Sequence, residues 1–505
     1  MTEKQIKTCV MTSTENFGWQ SMQEIIPGLE QAWRASARMG EHDVRVIDID
    51  RTSLSDYLPQ LIQADNIVFT CFTVKLARLG ELFRRRLGLT ARYFLHLHNQ
   101  ATIACWPYHA WGLAGVLRQG DRFISSSTAD ARTFELCFNE TRAEVVPFAW
   151  TTDLEADVDG GAEKGPGLPQ RPSDIPLVYV GRLSAQKNLH LLLYAIRLLN
   201  EGNWELPRFK LRVYGAEDDL GSPNMGMPCR DYGVTLRNLA TSLGIGHLVE
   251  WVGQVPRDEL HERLARMPHI FVSSSLHSDE NFGMAARFSL VMGNRAVLSR
   301  WGGHADFEQQ FGKQLQLCDV HVSEGGPWLD PVFFAEAMRQ ALNSFQAESV
   351  PYIPVSYRIP NVAAHLRVLA TTKREAENQK LEATQIATRV LRKRDQFLSD
   401  CPKKSKIFES YSHPDARPFA ECYSVGSKIF HREDPRSIRL VPWVEHTAGV
   451  IRITDPHRGV SAMACSPAEP SVQVTDGYGL PTAPMDVQTA SRLLALGYAH
   501  LWPVS

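Results

Sequence analysis

HIFVSSSLHSDENFGMAARFSLVMGNRAVLSRWGGHADF, residues 269–307, is the stretch on which the reading of the fold turns. Its spacing predicts a short apolar strand over His269 to Ser273, a polar loop, and a helix opening near Phe282-Gly283. A second strand over Arg295 to Ser299 and a Gly-Gly turn at Gly302-Gly303 follow. Such a βαβ unit gathers its polar groups at the carboxyl end of a strand, where open α/β sheets bind ligands. A helix beginning after Gly283 turns free backbone N–H groups and a partial positive charge toward any anion there. Glu280 lies in the same loop, placed for a carboxylate to hold hydroxyl groups.

Outward from this unit, strands alternate with helical patterns in both directions, which predicts parallel sheets. PLVYVG runs into Arg182, with Lys187 close behind in GRLSAQKNLHLLLYAIRLL. Two cations opening a helix oppose its dipole, so they read as ligands for an anion. FKLRVYG ends at Gly215, and HLVEWVGQV leads into Gln254 and Val255 before the helix DELHERLARM. Upstream, IKTCVMTS, DVRVIDID, ADNIVFTCF, ARYFLHLHN, DRFISSS and AEVVPF read as further strands, and SMQEIIPGLEQAWRASARMG as an amphipathic helix. Gly18 stands in the first loop. His96 and His98 fall on one face of their strand, so the two cannot be told apart by spacing.

Together these residues resemble the donor site of retaining GT-B glycosyltransferases, glycosyltransferase family 4 above all. S-S-x-x-x-x-x-E-x-F-G before a helix, and V-G-R-x-x-x-x-K at a strand-to-helix junction, carry the resemblance, which covers about 170 to 310. It implies an α/β fold of two Rossmann-like domains facing a central cleft, and transfer of a hexose from a nucleoside-diphosphate sugar to a hydroxyl. In that reading Arg182 and Lys187 stabilise the departing diphosphate without a metal, and Glu280 holds the donor sugar. Backbone groups of Asn281, Phe282, Gly283 and Met284 complete the cradle. Gly18 stands alone where the family often has a Gly-Gly pair that lets the backbone approach the phosphates, and Gly215 falls where the family has a glycine-containing loop. The loop at Val255 meets the base, and His98 approaches the sugar from the first domain. UDP- or GDP-sugars are the implied donors; the acceptor class (glycan, lipid-linked or protein) stays open. The resemblance further implies front-face attack, with the leaving phosphate accepting the acceptor's proton, and no cofactor. One departure is plain. The family's second glutamate, eight positions after the first, is replaced by Phe288, which cannot hold ribose hydroxyls through charge. Packing of Phe288 on an unusual donor, another residue taking over the ribose, or a GT-B-shaped binding protein without catalysis are the three readings of that departure.

At 505 residues the chain implies two or three domains. They are read as an acceptor domain over 1–155, a Gly-, Pro- and acid-rich linker over 156–174, a donor domain over 175–345, a charged helical segment over 346–400 crossing back to the first domain, and an α+β appendage over 401–505. A formal net charge of −2 gives no reason to expect nucleic acid as a partner. Nine scattered cysteines, without a C-x-x-C pair, read as reduced thiols, and the absence of a signal-like or spanning apolar run makes the cytoplasm the expected compartment. Asp48-Ile49-Asp50 has D-x-D spacing, yet its strand-end position reads as capping, and no metal is expected. Lys75, Arg78, Arg84, Arg85 and Arg86 mark a basic helix, either a solvated face or a peripheral contact with anionic lipid or an acidic acceptor near Arg84.

Overall fold

The computed structural model describes residues 5–501 apart from 17, 41, 99–102, 152–173, 203–204, 218–231, 278–279, 324–325, 347–349, 373–378, 401–416, 425–436, 448, 456–458, 466–470, 478–480 and 497. The linker expected over 156–174 lies almost wholly outside them. The chain divides into two compact units, residues 1–166 with 352–393, and residues 167–351 with 394–505.

The first unit holds a six-stranded sheet of β1 (Ile6–Thr12), β2 (His42–Asp48), β3 (Asn66–Phe69), β4 (Arg92–Leu97), β5 (Arg122–Ser125) and β6 (Ala143–Val145), in the order β2-β1-β3-β4-β5-β6. Every neighbouring pair is parallel. Strands buried on both faces need continuous apolar runs, which is why NIVF of β3 is buried throughout. Helix Met22–Ala37 covers the sheet with Trp33 fully buried. Helix Ile359–Thr371 lies beside it, adding Val362, Leu366 and Leu369 to the same core as Val10, Val68 and Phe94. Asn66 and Arg92 fasten its end by donating to the carbonyl of Ala370.

The segment read as one charged helical stretch is two helices, Ile359–Thr371 and Gln385–Asp400, with an extended piece between them. Leu381 N donates to Leu117 O and Asn139 N to Glu382 O, so this piece spends its backbone groups on the first unit instead of on a helix. The basic helix is mixed, with one of its cations buried. In helix Val74–Arg85, Arg84 is buried, bridging both oxygens of Asp121 and lying 3.6 Å over the Tyr93 ring. Lys75 pairs with Asp50, while Arg78 and Arg85 pair with Glu81. Arg84 itself is therefore spent within the protein, while Lys75, Arg78, Arg85 and Arg86 stay at the surface. No helix among the described residues is long and apolar enough to cross a membrane.

The second unit contains a seven-stranded sheet of β7 (Ile175–Val180), β8 (Phe209–Tyr214), β9 (Val249–Gly253), β10 (Ile270–Ser273), β11 (Arg295–Arg300), β12 (Leu315–Ser323) and β13 (Gly326–Leu329). Its order is β13-β12-β11-β10-β7-β8-β9, with only the β13 edge antiparallel. From β7 the chain winds outward through β8 and β9, then returns to place β10 on the other side of β7. The switch point therefore falls between β7 and β10, where doubly wound sheets open a crevice at their carboxyl ends.

The appendage is not a separate body. Strands β14 (Ser437–Leu440), β15 (Val444–Thr447), β16 (Val450–Asp455), β17 (Gly459–Ala464), β18 (Ser471–Thr475), β19 (Met485–Asp486) and β20 (Ala499–Leu501), with helix Val487–Leu496, close a core that includes Trp328 of β13. Sharing that tryptophan makes the module part of the second unit.

Candidate functional site

The loops leaving β7 and β10 meet at the switch point. Gly181-Arg182 follows β7, and a single 3-10 turn, Ala185–Lys187, sets Lys187 at the foot of helix Leu189–Glu201. The loop after β10 is pinned along its length. Asn188 and Ser274 exchange side-chain bonds to each other's carbonyls, at 3.1 and 2.8 Å. Leu276 N donates to Gln186 O, and Ser299 Oγ donates to Ser275 O. Those bonds bring Lys187 Nζ to 2.5 Å from Glu280 Oε2, which also accepts from Ser275 Oγ. Arg182 Nη2 stands 3.1 Å from His277 Nε2. A guanidinium only donates, so this ring nitrogen is the acceptor and His277 is neutral here.

The electrostatics follow from burial and one cation. Burial alone would raise the Glu280 carboxyl, but Lys187, His304 and His277 outweigh it and hold the group well below the usual carboxylate range. Burial also pushes His277 and His304 below their ordinary value, so both are neutral near pH 7. Lys187 is therefore the charge that keeps Glu280 ionised. His304 Nε2 lies 3.8 Å from Glu280 Oε1, on the opposite side of the carboxylate.

Helix Met284–Val291 opens at Gly283, whose φ of +72° is the left-handed cap. A Cβ there would come within 2.7 Å of the His304 ring. Asn281 and Phe282 are buried beside it, and Met284 is half-buried at the first helical position. Gly215 follows β8, and Val255, buried, follows β9. Phe288 does not face open space: it stacks on His261 with ring centroids 4.1 Å apart. His277, Ser275 and His304 are site residues that the motif alone does not flag, although each stands in the polar stretch 273–304.

Gly215 sits where β7 and β8 end side by side, at φ +136°, and a Cβ on it would lie 1.9 Å from the Gly181 carbonyl oxygen. That oxygen is backbone and cannot rotate away. Gly215→Ala is expected to lower stability by roughly 1–3 kcal/mol from overpacking alone, and to disturb the turn that carries Arg182. Urea denaturation checks this; an unchanged midpoint would refute it.

The other predicted residues lie in the first unit. His98, at the carboxyl end of β4, has Nε2 2.6 Å from Thr70 O. A carbonyl only accepts, so Nε2 carries the proton and Nδ1 is an acceptor. Burial pulls this ring down to about 4, which keeps it neutral, and Nδ1 has no hydrogen-bond partner among the described residues. His96 is spent differently: its Nε2 accepts from the Trp33 indole at 3.0 Å. The two histidines that spacing left equivalent thus differ in what their Nε2 atoms do, accepting from Trp33 in His96 and donating to Thr70 O in His98. Gly18 is exposed in the turn after β1. Asp50 accepts from Ser13, Thr14 and Lys75; these bonds outweigh burial and draw it down to about 2. It works as a loop cap beside a cavity of about 520 Å³ lined by Thr14, Glu15, Val74, Lys75 and Arg78. Among the described residues there is no cluster of three or more His, Cys, Asp or Glu placed to hold a metal ion.

Residues 167–315 match the family described as "Glycosyl transferases group 1". The match spans β7 to β11 of the second sheet and both switch-point loops, so this part of the chain is similar to that family. Solved structures similar to the chain include Anabaena HepE in complex with UDP and glucose, at 14% identity and TM-score 0.42 over 78% of this chain and 100% of that one. Another is the lipopolysaccharide outer core galactosyltransferase WaaB, at 12% identity and TM-score 0.45 over 72% and 99%. A third is an E. coli trehalose-6-phosphate protein bound with UDP-2-fluoro glucose, at 13% identity and TM-score 0.44 over 79% and 99%. At these scores the likeness carries nothing about substrate or mechanism. A comparison with curated proteins finds no match.

Proposed function

We propose that this chain transfers a hexosyl group from a nucleoside-diphosphate sugar, UDP- or GDP-linked, to a hydroxyl acceptor with retention of configuration. The observation that carries the reading is the convergence of Arg182, Lys187 and Glu280 at the switch point of the second sheet. In the transfer, the acceptor oxygen bonds to the anomeric carbon as the bond from that carbon to the diphosphate oxygen breaks. The bonding pair leaves with the diphosphate, and the acceptor's proton passes to that oxygen on the same face. Charge develops on the diphosphate in the transition state, so two cations already fixed there lower the barrier without further reorganisation. Arg182 supplies a planar fork suited to phosphate and Lys187 a point charge. Glu280, kept ionised by Lys187, is left to accept hydrogen bonds from sugar hydroxyls.

Lys187 is engaged by Glu280. A bound diphosphate draws on the same ammonium, so donor binding and the Glu280 carboxylate are coupled. Phe288 stacked on His261 favours a second reading, a nucleotide- or glycan-binding protein without transfer, since the family's ribose-holding carboxylate is missing at that position.

A thermal-shift series with UDP, GDP, ADP, dTDP and CMP, followed by Glu280→Gln, separates the two. A ligand at about 100 times its Kd adds about 2.7 kcal/mol to stability, so one nucleotide is expected to raise Tm clearly. Glu280→Gln is expected to keep that shift while sugar transfer falls on the order of 10- to 100-fold, the loss of a charged hydrogen bond. Transfer unchanged in Glu280→Gln would sink the assigned role. A nucleotide shift with no turnover of any donor sugar would favour the binding reading.

A further inference from the structure

The C-terminal residues reach the donor site from two directions, at Tyr423 and at Trp443, the second of which also packs on the core of the module. Tyr423, the last residue of helix Arg417–Tyr423, is fully buried with its ring centroid 5.5 Å from that of Trp301. Its ring edge also fills the space a Cβ at Gly302 would need, at 3.1 Å. Trp301 in turn donates its indole N–H to the carbonyl of His277 at 2.8 Å. That same carbonyl accepts the backbone N–H of Glu280, and the His277 ring accepts from Arg182. Directly after Gly302, Gly303 N donates to Glu280 O at 2.7 Å. On the other side, Trp443 packs edge-on to His190, centroids 5.0 Å apart, and against Tyr194. Both belong to helix Leu189–Glu201, whose start follows Lys187.

We propose that the C-terminal module positions the donor site, with Tyr423 acting through Trp301 and the His277 carbonyl to set Arg182 and Glu280. The role assigned to those two rests on the function proposed above; the mechanical link does not. The buried indole N–H needs an acceptor and has the His277 carbonyl, so a change in the packing of the indole is passed to that carbonyl. Removing the Tyr423 ring frees Trp301 to tilt, and the residue that orients Arg182 moves with it. Helix Arg417–Tyr423 is separated from β14 by chain outside the described residues, yet its last residue sits against the loop leaving β11. An appendage that merely added stability would have no reason to seat an aromatic ring at this point.

The test uses the full chain and four variants: Tyr423→Ala, Tyr423→Phe, Arg182→Ala and the double variant Tyr423→Ala with Arg182→Ala. The first readout needs no ligand: hydrogen exchange of the Glu280 and Gly303 amides. Tyr423→Ala is expected to speed both, and Tyr423→Phe to recover most of the protection. The second readout is Kd for UDP and GDP. Tyr423→Ala is expected to weaken binding on the order of tenfold, and the double variant no more than Arg182→Ala alone, as for residues acting through one another. Unchanged exchange at Glu280 and Gly303 overturns the proposal, as does a Kd loss that adds fully to that of Arg182→Ala. If Tyr423→Ala does not fold, Tyr423→Leu takes its place against Tyr423→Phe in the same two measurements. Should the wild type bind neither nucleotide, the proposed function fails, while the exchange result still decides this link.

Discussion

Lys187→Ala is expected to abolish sugar transfer and to destabilise the second unit at neutral pH by roughly 3–5 kcal/mol, the usual cost of removing one partner from a buried ion pair. The pair is well buried, with Lys187 17% and Glu280 9% exposed in their side chains. In the wild type Glu280 has a depressed folded-state pKa. Its contribution is therefore present above the unfolded value of about 4.3, and is lost as pH falls through the lower folded value. Without Lys187 burial becomes the dominant influence, and the folded pKa moves above the unfolded one. The sign reverses: the variant binds a proton on folding, and its stability falls as pH rises through that new value. The gap between wild type and Lys187→Ala should accordingly be large at pH 7.5 and shrink at about pH 4.5. Denaturant midpoints at the two pH values check this. An equal gap at both would mean that Glu280 does not depend on Lys187 for its charge. Arg182→Ala, by contrast, removes a partner of a neutral imidazole and should cost donor binding with little loss of stability. That contrast separates the two cations, which a simple activity assay would score alike.

What the sequence made legible follows from where information is local. The strands of both sheets stand out because residues buried on two faces must form unbroken apolar runs, as IPLVYV of β7 and IFVS of β10 do. Arg182, Lys187 and Glu280 could be singled out because they lie in the segments after β7 and β10, where a parallel sheet places ligand groups, within the two motifs that carry the family resemblance. Long-range pairing could not be read in the same way. Arg84 looked like part of a charged surface because nothing near it in sequence announces Asp121 as its buried partner. His277 and Trp301 acquire meaning only when β10 and β11 lie side by side, in the register that pairs Ser273 with Leu298. The charged stretch after Ile359 looked helical throughout because its composition suits a helix. Backbone bonds from Leu117, Asn139 and Gln119 hold its middle extended. The C-terminal module read as an appendage because its strands are short and its links to the donor sheet, such as the shared core around Trp328, are long-range.

Arg439→Met is expected to cost about 3–5 kcal/mol at pH 7.5, and much less near pH 4. Arg439 forms an ion pair with Asp330 in which the side chains are 4% and 1% exposed, and Asp330 also caps helix Pro331–Asn343 by accepting from Val332 N. Here burial prevails over the cation. It raises the Asp330 carboxyl to about 6, against the pull of Arg439 and the backbone N–H groups, and lowers Arg439. The balance is opposite to that at Glu280, where Lys187 outweighs burial and Ser275 adds a donor. A folded pKa above the unfolded one means that the folded state keeps a proton the unfolded chain has released. Wild-type stability should thus decline from about pH 4 to pH 6. Arg439→Met removes the only side-chain cation paired with Asp330 among the described residues, so the window extends upward and the loss at neutral pH deepens. Adding Asp330→Asn should restore most of it, because asparagine keeps the helix cap and carries no charge. Calorimetric Tm values at pH 4 and 7.5 for the single and double variants decide the matter. If the single variant loses equally at both pH values, packing around Trp328 and not the buried carboxylate governs the joint between module and sheet.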